Sequence, residues 1–116
     1  MTSDLVAGAA RYALDMSGYE GNVSYNRKIR NAVTQVVASG AARMWSAPNS
    51  SVQIPGSSMV PTEYREYVIV GGLGFGMEIM FGGSLEEGLK SGARAAVCDY
   101  AGDYIMSKAG YDSQLI

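Results

Sequence analysis

The chain contains no histidine and only one cysteine, Cys98. The first absence removes the commonest general base near neutral pH and the commonest zinc ligand. The second excludes an internal disulfide and any multi-cysteine metal site, and it is in keeping with a reducing compartment. Charge is also scarce: Asp, Glu, Lys and Arg make up 17% of the residues, against about 25% in ordinary soluble domains. Nine basic and eleven acidic residues are scattered along the chain and leave a net charge of −2, so the basic patch of a nucleic-acid binder is missing. All three prolines fall within one stretch, Pro48, Pro55 and Pro61. The opening Thr2-Ser3-Asp4 is polar and acidic and does not read as a signal peptide.

What the chain has in quantity is glycine: 15 in 116 residues, a length that makes one domain or a small subunit. Six of them lie in Val68–Gly83, VIVGGLGFGMEIMFGG, whose one charge is Glu78. Each glycine costs a helix about 1 kcal/mol relative to alanine. Such a run persists where close backbone approach returns that stability: a packed helix interface, a membrane, or a phosphate-cradling turn. The turn fails on spacing. A dinucleotide fingerprint needs glycines at i, i+2 and i+5, but from Gly72 the third position is Met77 and from Gly74 it is Ile79. No Gly-Lys-Ser/Thr follows, so a P-loop fails too. The membrane reading gains from the small-residue spacing of Gly72 and Gly76 and from Tyr64 and Tyr67 at one end. It loses because the run is shorter than the ~20 residues of a span and holds Glu78.

The remaining setting is a helix buried in, or at the interface of, a multi-subunit shell. In that reading Gly71, Gly72, Gly74, Gly76, Gly82 and Gly83 are packing positions. Glu78 needs a cation, and a hairpin at Gly82–Ser84 offers Arg94 or Lys90 of the following helix.

Periodicity predicts a mostly α fold of four helices in two hairpin-like pairs, 5–17, 26–47, 63–82 and 85–108. The first carries Leu5, Ala9, Tyr12 and Met16 on one stripe, with Ser3 or Asp4 to cap it and Gly18 to stop it. The second, capped by Asn26, has the stripe Ile29, Val33, Val36, Val37, Gly40 and Met44. Arg27, Lys28 and Arg30 stand at its start, where positive charge opposes the helix dipole. Either this is a solvated helix end, or an acidic group of a protein or lipid lies nearby. The fourth opens on the capping box Ser84-Leu85-Glu86-Glu87 and carries Leu85, Leu89, Gly92, Ala93, Ala96, Val97, Tyr100 and Tyr104 on one stripe. Glu86, Lys90 and Arg94 succeed one another at i, i+4 on another face. Units 1–47 and 62–116 are thus helical, and the Pro/Ser-rich arm 48–61 joins them, with Val52-Gln53-Ile54 able to add an edge strand to a partner sheet. Residues 10–18, ARYALDMSG, faintly echo 93–102, ARAAVCDYAG.

Little else carries chemistry. Asp99 and Asp103 share one helix face, but hard cations want more oxygen ligands than two carboxylates. A solvated face or a salt bridge to a neighbouring subunit is the expectation. Cys98 has no histidine to activate it and reads as a small core residue. Eight tyrosines and seven methionines suit adaptable contact surfaces. No catalytic, cofactor-binding or metal-ligating set emerges.

The glycine-rich helix, GGSLEEGLKSGARAAVCDYAGDYIMSKAG and the proline arm resemble the small minor capsid or membrane-associated proteins of large icosahedral double-stranded DNA viruses with an internal membrane. The resemblance implies a virion role, bridging capsomers or linking capsid to membrane, without catalysis. The partners expected are other protein subunits, capsid proteins or copies of the chain itself, with possible membrane contact, no nucleic acid and no small-molecule substrate. Outside a virion, a membrane-associated or cytoplasmic place is expected. Two other classes stay open: a glycine-zipper, holin-like oligomer in a membrane, and a small nucleotide-binding or enzymatic module using the 71–76 glycines.

Overall fold

A computed structural model describes residues 3–18, 21, 23–47, 56 and 59–109. Four helices make the fold: α1 (Ser3–Met16), α2 (Tyr25–Trp45), α3 (Thr62–Met80) and α4 (Leu85–Lys108). All four expected helices are present, each within about two residues of its predicted ends. No strand runs through the described residues. Most of the 48–61 arm, including Val52–Ile54, and the tail after Ala109 lie outside them.

Local chemistry explains the ends. Ser84 accepts the Glu87 N–H at 3.2 Å while the Glu87 carboxylate accepts the Ser84 N–H at 3.0 Å, so the expected capping box is formed. These hydrogen bonds, the backbone one first, hold the Glu87 carboxyl below its ordinary range. Helix α2 is capped two residues earlier than expected, by Ser24 rather than Asn26: the Ser24 hydroxyl accepts from the Arg27 N–H at 3.2 Å. Just past the end of helix α3, Gly82 has a φ of +93° that favours glycine, and the Gly83 N–H then donates to the Glu78 carbonyl at 2.9 Å.

The helices run up and down, and each packs on its neighbours around a ring, α3 on α4 most extensively. Small residues set the spacing. A Cβ on Gly92 would meet the Gly71 carbonyl oxygen at 2.6 Å, and one on Gly74 would meet the Ala95 Cβ at 2.8 Å. On the other side, Gly102 lies against the α1 backbone at Ser3 and Ala7, and Gly8 lies against Val36 of α2. Such backbone approach is what glycine in a helix interior makes possible. Ala38, Ala42, Ile69, Val70 and Ala95 form the apolar centre, with Trp45, Leu73, Met77 and Ala96 against it.

The phase of the helices is the unexpected result. The apolar stripes of α1, α2 and α4 face outward: Leu5, Met16, Ile29, Val33, Val37, Met44, Leu85, Leu89, Val97, Tyr100 and Tyr104 are all exposed. Facing inward on α2 is Asn31, Gln35 and Ser39, continued by the partly covered Arg43. The other inward faces are Ser3, Ala7 and Arg11 on α1, Val70, Gly74 and Glu78 on α3, and Gly88, Gly92 and Asp99 on α4. Each set repeats at i, i+4 or close to it, the same period as the outer stripes. The bundle is polar and small-residue within and apolar without.

Candidate functional site: a polar column inside the bundle

Two charged clusters lie at opposite ends of the interior, joined by neutral side chains. At one end Arg43 of α2 gathers a carboxylate from every other helix. Its Nε and Nη2 donate to Asp4 Oδ1 at 3.1 and 2.8 Å, and its Nη1 donates to Glu66 Oε1 at 3.3 Å. Asp103 Oδ1 is 3.0 Å from Nη1, and Asp99 Oδ1 is 3.9 Å from Nη2. Tyr67 donates its hydroxyl to Asp103 Oδ2 at 3.0 Å. Asp99 is wholly buried, so the expected solvated face is wrong. The reason is the rotation of α4, which turns its apolar stripe outward and this carboxylate inward.

Four carboxylates against one guanidinium is a steep imbalance for an interior, since buried charge is stable only when paired or neutralised. Burial, followed by the neighbouring Asp99, pushes Glu66 up to about 10. Burial also raises Asp99. A proton on this pair gives Glu66 Oε2 and one of the two Asp99 oxygens, which otherwise lack a donor, a hydrogen bond between them. Although burial opposes it, the bonds to Asp4 and the charges of Glu66 and Asp103 push Arg43 further up. Burial and the adjoining Asp103 raise Tyr67 likewise.

Glu66, Asp99 and Asp103 each place an oxygen within 4.8 Å of the others, a spacing open to a hard cation. Arg43 already lies among them, so the cluster is first a four-helix ion-pair hub. Sequence spacing finds Asp99 and Asp103 together but not Glu66 or Asp4, which reach the hub only through the fold.

Toward the other end, Gln35 bridges the helices. Its Nε2 donates to Ser39 Oγ at 3.0 Å and to the Ala95 carbonyl at 2.9 Å, while its Oε1 accepts from Arg11 Nη1 at 3.5 Å. Beyond it, Glu78 is buried and accepts from Arg30 Nη2 at 3.2 Å, with Arg27 Nη2 at 3.9 Å. The cations that meet Glu78 therefore come from α2, not from Arg94 or Lys90 of α4 as expected. Lys90 instead pairs with Glu86 one turn before it, at 3.3 Å, and Arg94 lines an outward groove. The basic start of α2 is thereby accounted for: Glu78 and Glu87, the latter 3.7 Å from Arg27, are the acidic groups nearby.

The glycines of residues 71–83 divide by role. Gly74 closes on α4, Gly71 touches it at ordinary distance, and Gly83 lies against the Glu78 carboxylate. Gly72 and Gly76 have nothing within 4 Å of an added Cβ and face away from the bundle. Residues 67–76 are continuous helix, not the strand and turn of a nucleotide fingerprint. Cys98 is buried as expected, and burial pushes its thiol up to about 11, which disfavours the reactive thiolate.

Comparisons with protein-family models, curated proteins and solved structures return no match. The functional reading therefore rests on geometry.

Proposed function

We propose that this protein is a non-enzymatic structural subunit, held within a larger assembly by contacts around its outer surface. The observation that carries the reading is the reversed amphipathicity: charged and amide side chains inside, large apolar side chains outside on all four helices. Exposed apolar surface in quantity marks an interaction site, and here every helix presents large exposed apolar side chains. Between α1 and α4 a groove of about 370 Å³, lined by Leu14, Lys90, Ala93, Arg94 and Val97, offers a seat for a neighbouring chain. In the setting implied by the resemblance, the subunit is a minor capsid or capsid–membrane linking protein of a virion, surrounded by capsid proteins or copies of itself.

A second reading, an oligomer inserted in a membrane, is favoured by the distribution of surface charge. Among the described residues the exposed charges are Arg27, Glu63, Glu86, Glu87, Lys90 and Lys108. All but Lys90, in the second turn of α4, lie in the first or last turns of their helices, which leaves few fully exposed charges on the flanks. Against it, no helix of the described residues is long and apolar enough to cross a membrane.

The test is light scattering and circular dichroism on the chain expressed alone, without detergent. The expected result is a helical protein that self-associates, and that becomes monodisperse when Val33, Val37 and Val97 are changed together to Lys. A monodisperse wild-type monomer would overturn the proposal. Flotation with lipid vesicles that resists carbonate extraction would move the assignment to the second reading.

A further inference from the structure

Among the described helices only α4 carries charge of opposite sign at its two ends, Glu86 and Glu87 in the first turn and Lys108 in the last. Helix α1 has no basic residue in its last turn, α2 no acidic residue in its first, and α3 no basic residue in its last. Two copies of α4 laid antiparallel therefore set acid against base at both ends of the pair. No other helix does so with a copy of itself. The opposed macrodipoles favour the same direction.

The face of α4 that points away from the bundle has the symmetry such a pair needs. Along it stand Glu86, Lys90, Ala93, Val97, Ala101, Tyr104 and Lys108, at intervals of three and four that read the same in both directions from Val97. All are exposed except Ala101, which is half-covered. A two-fold axis at Val97 sets each position against its counterpart in a second copy. Glu86 then meets the partner's Lys108, Lys90 meets the partner's Tyr104, and Ala93 meets the partner's Ala101. The small alanines on either side of the axis let the two helices approach closely.

Shape agrees with charge. The groove between α1 and α4 includes Lys90, Ala93, Arg94 and Val97 in its lining. Opposite Lys90 and Arg94 the same axis places the partner's Tyr104 and the partner's Tyr100, so two large rings face a hollow. The two cations of that hollow lie opposite aromatic side chains, the partners of a cation–π contact. The rings are braced within each copy: Tyr67 meets Tyr100 edge-on at 5.7 Å, and Tyr100 stacks with Tyr104 at 6.3 Å. Lys108 Nζ lies 5.5 Å from the Tyr104 ring centroid, which keeps this ammonium on the same face. We infer that one neighbour of this chain is a second copy, joined through α4 in an antiparallel, two-fold contact centred on Val97. The inference rests on the proposed assembly and names one of its interfaces.

The experiment is sedimentation velocity on the full chain without detergent. Val33→Lys combined with Val37→Lys charges the exposed face of α2 and leaves α4 unaltered, and that variant is expected to stop at a dimer. In its background Glu86→Lys or Lys108→Glu should each raise the dimer dissociation constant about tenfold, because each sets like charges together at two symmetric places. The two exchanged together should bring it back to within about threefold of the starting value. A second readout leaves the charges alone: Val97→Cys in the otherwise unaltered chain should be joined into dimers by a short bis-maleimide, and the wild type, whose Cys98 is buried, should not. A monomeric Val33→Lys, Val37→Lys variant beside an associating wild type would overturn this contact and leave the assembly reading standing. A monomeric wild type would overturn both. A dimer indifferent to the single charge changes, one that the combined exchange fails to restore, or a Val97→Cys chain that does not cross-link would each overturn the antiparallel contact.

Discussion

Replacing Gly92 and Gly72 by alanine, one at a time, should move stability in opposite directions. Both glycines are helical, so each substitution gains about 1 kcal/mol of helix propensity and lost unfolded-state freedom. At Gly72 nothing stands within 4 Å of the new methyl, and the full gain should appear. At Gly92 the methyl would lie 2.6 Å from the Gly71 carbonyl oxygen and 3.5 Å from the Phe75 Cβ, where ordinary contact begins near 3.4 Å. The nearest obstacle is backbone, so no side chain can swing away, and α3 must separate from α4 by several tenths of an ångström. Overpacking of this kind costs about 1–3 kcal/mol. It also loosens the contact between Gly74 and Ala95, which are equally close. The net expectation for Gly92→Ala is a loss of about 1–2 kcal/mol, read as a fall of roughly 5–15 °C in melting midpoint for a domain of this size. Urea and thermal melts by circular dichroism measure both variants. A Gly92→Ala protein as stable as wild type, or a destabilised Gly72→Ala, would refute the account of how these helices pack.

Glu78→Gln leaves Arg30 and Arg27 without their carboxylate and should cost about 1–3 kcal/mol, less than a fully buried pair because both arginines are partly solvated; Lys90→Ala, at an exposed pair, should change stability by less than about 0.5 kcal/mol in the same urea melts. The Glu66–Asp99 pair gives an inverted pH dependence. Glu66, near 4.5 when unfolded and about 10 when folded, binds more protons in the native state across that interval. Its stabilisation is therefore complete below about pH 4.5 and lost as pH rises toward 10, by at most about 1.4 kcal/mol per pH unit. The melting midpoint should rise as pH falls from 8.5 to 5.5, and Glu66→Gln should flatten the dependence; a wild-type midpoint that is level or falls on acidification would count against the shared proton.

How much of this was legible in the sequence depends on which property is asked for. The period of each helix, the capping box of α4 and the glycine stops after α1 and α3 are local, and they are legible to within about two residues. The phase is not local. In α2 the apolar set Ile29, Val33 and Val37 and the polar set Asn31, Gln35 and Ser39 repeat at the same interval. Ordinary burial rules assign the apolar set to the core. The interior could take the polar set because its members find partners: Asp15 of α1 for Asn31, the Ala95 carbonyl of α4 for Gln35, and Gln35 itself for Ser39. The first two partners are 16 and 60 residues away in sequence. For the same reason Glu78 was seen to need a cation, but the choice between α2 and α4 was not visible. One signal was available: Arg27, Asn31, Gln35, Ser39 and Arg43 form an unbroken i, i+4 polar row, which is unusual on a helix whose other face is aliphatic.

The reversed phase bears on what holds the isolated chain together. Among the described residues the buried hydrophobic side chains are Ala7, Ala38, Ala42, Ile69, Val70, Ala95, Cys98 and Met106, and only three of these are large. Full burial of a large aliphatic side chain contributes about 1.5–3 kcal/mol, while alanine contributes far less. The interior hydrogen bonds and ion pairs specify which helix meets which, but paired buried charge returns little more than its desolvation cost. An interior of this kind defines a single arrangement without making it stable. The missing stabilisation is available on the outside, where Leu5, Ile29, Val33, Val37, Leu85, Leu89 and Val97 wait to be covered. In the proposed assembly folding and association are coupled, because the surface that would complete the structure is also the one that would bind a neighbour. Stability should consequently rise with protein concentration. A melting midpoint independent of concentration, in a chain that stays dispersed, would show that the polar interior suffices and that the outer faces are not required for the fold.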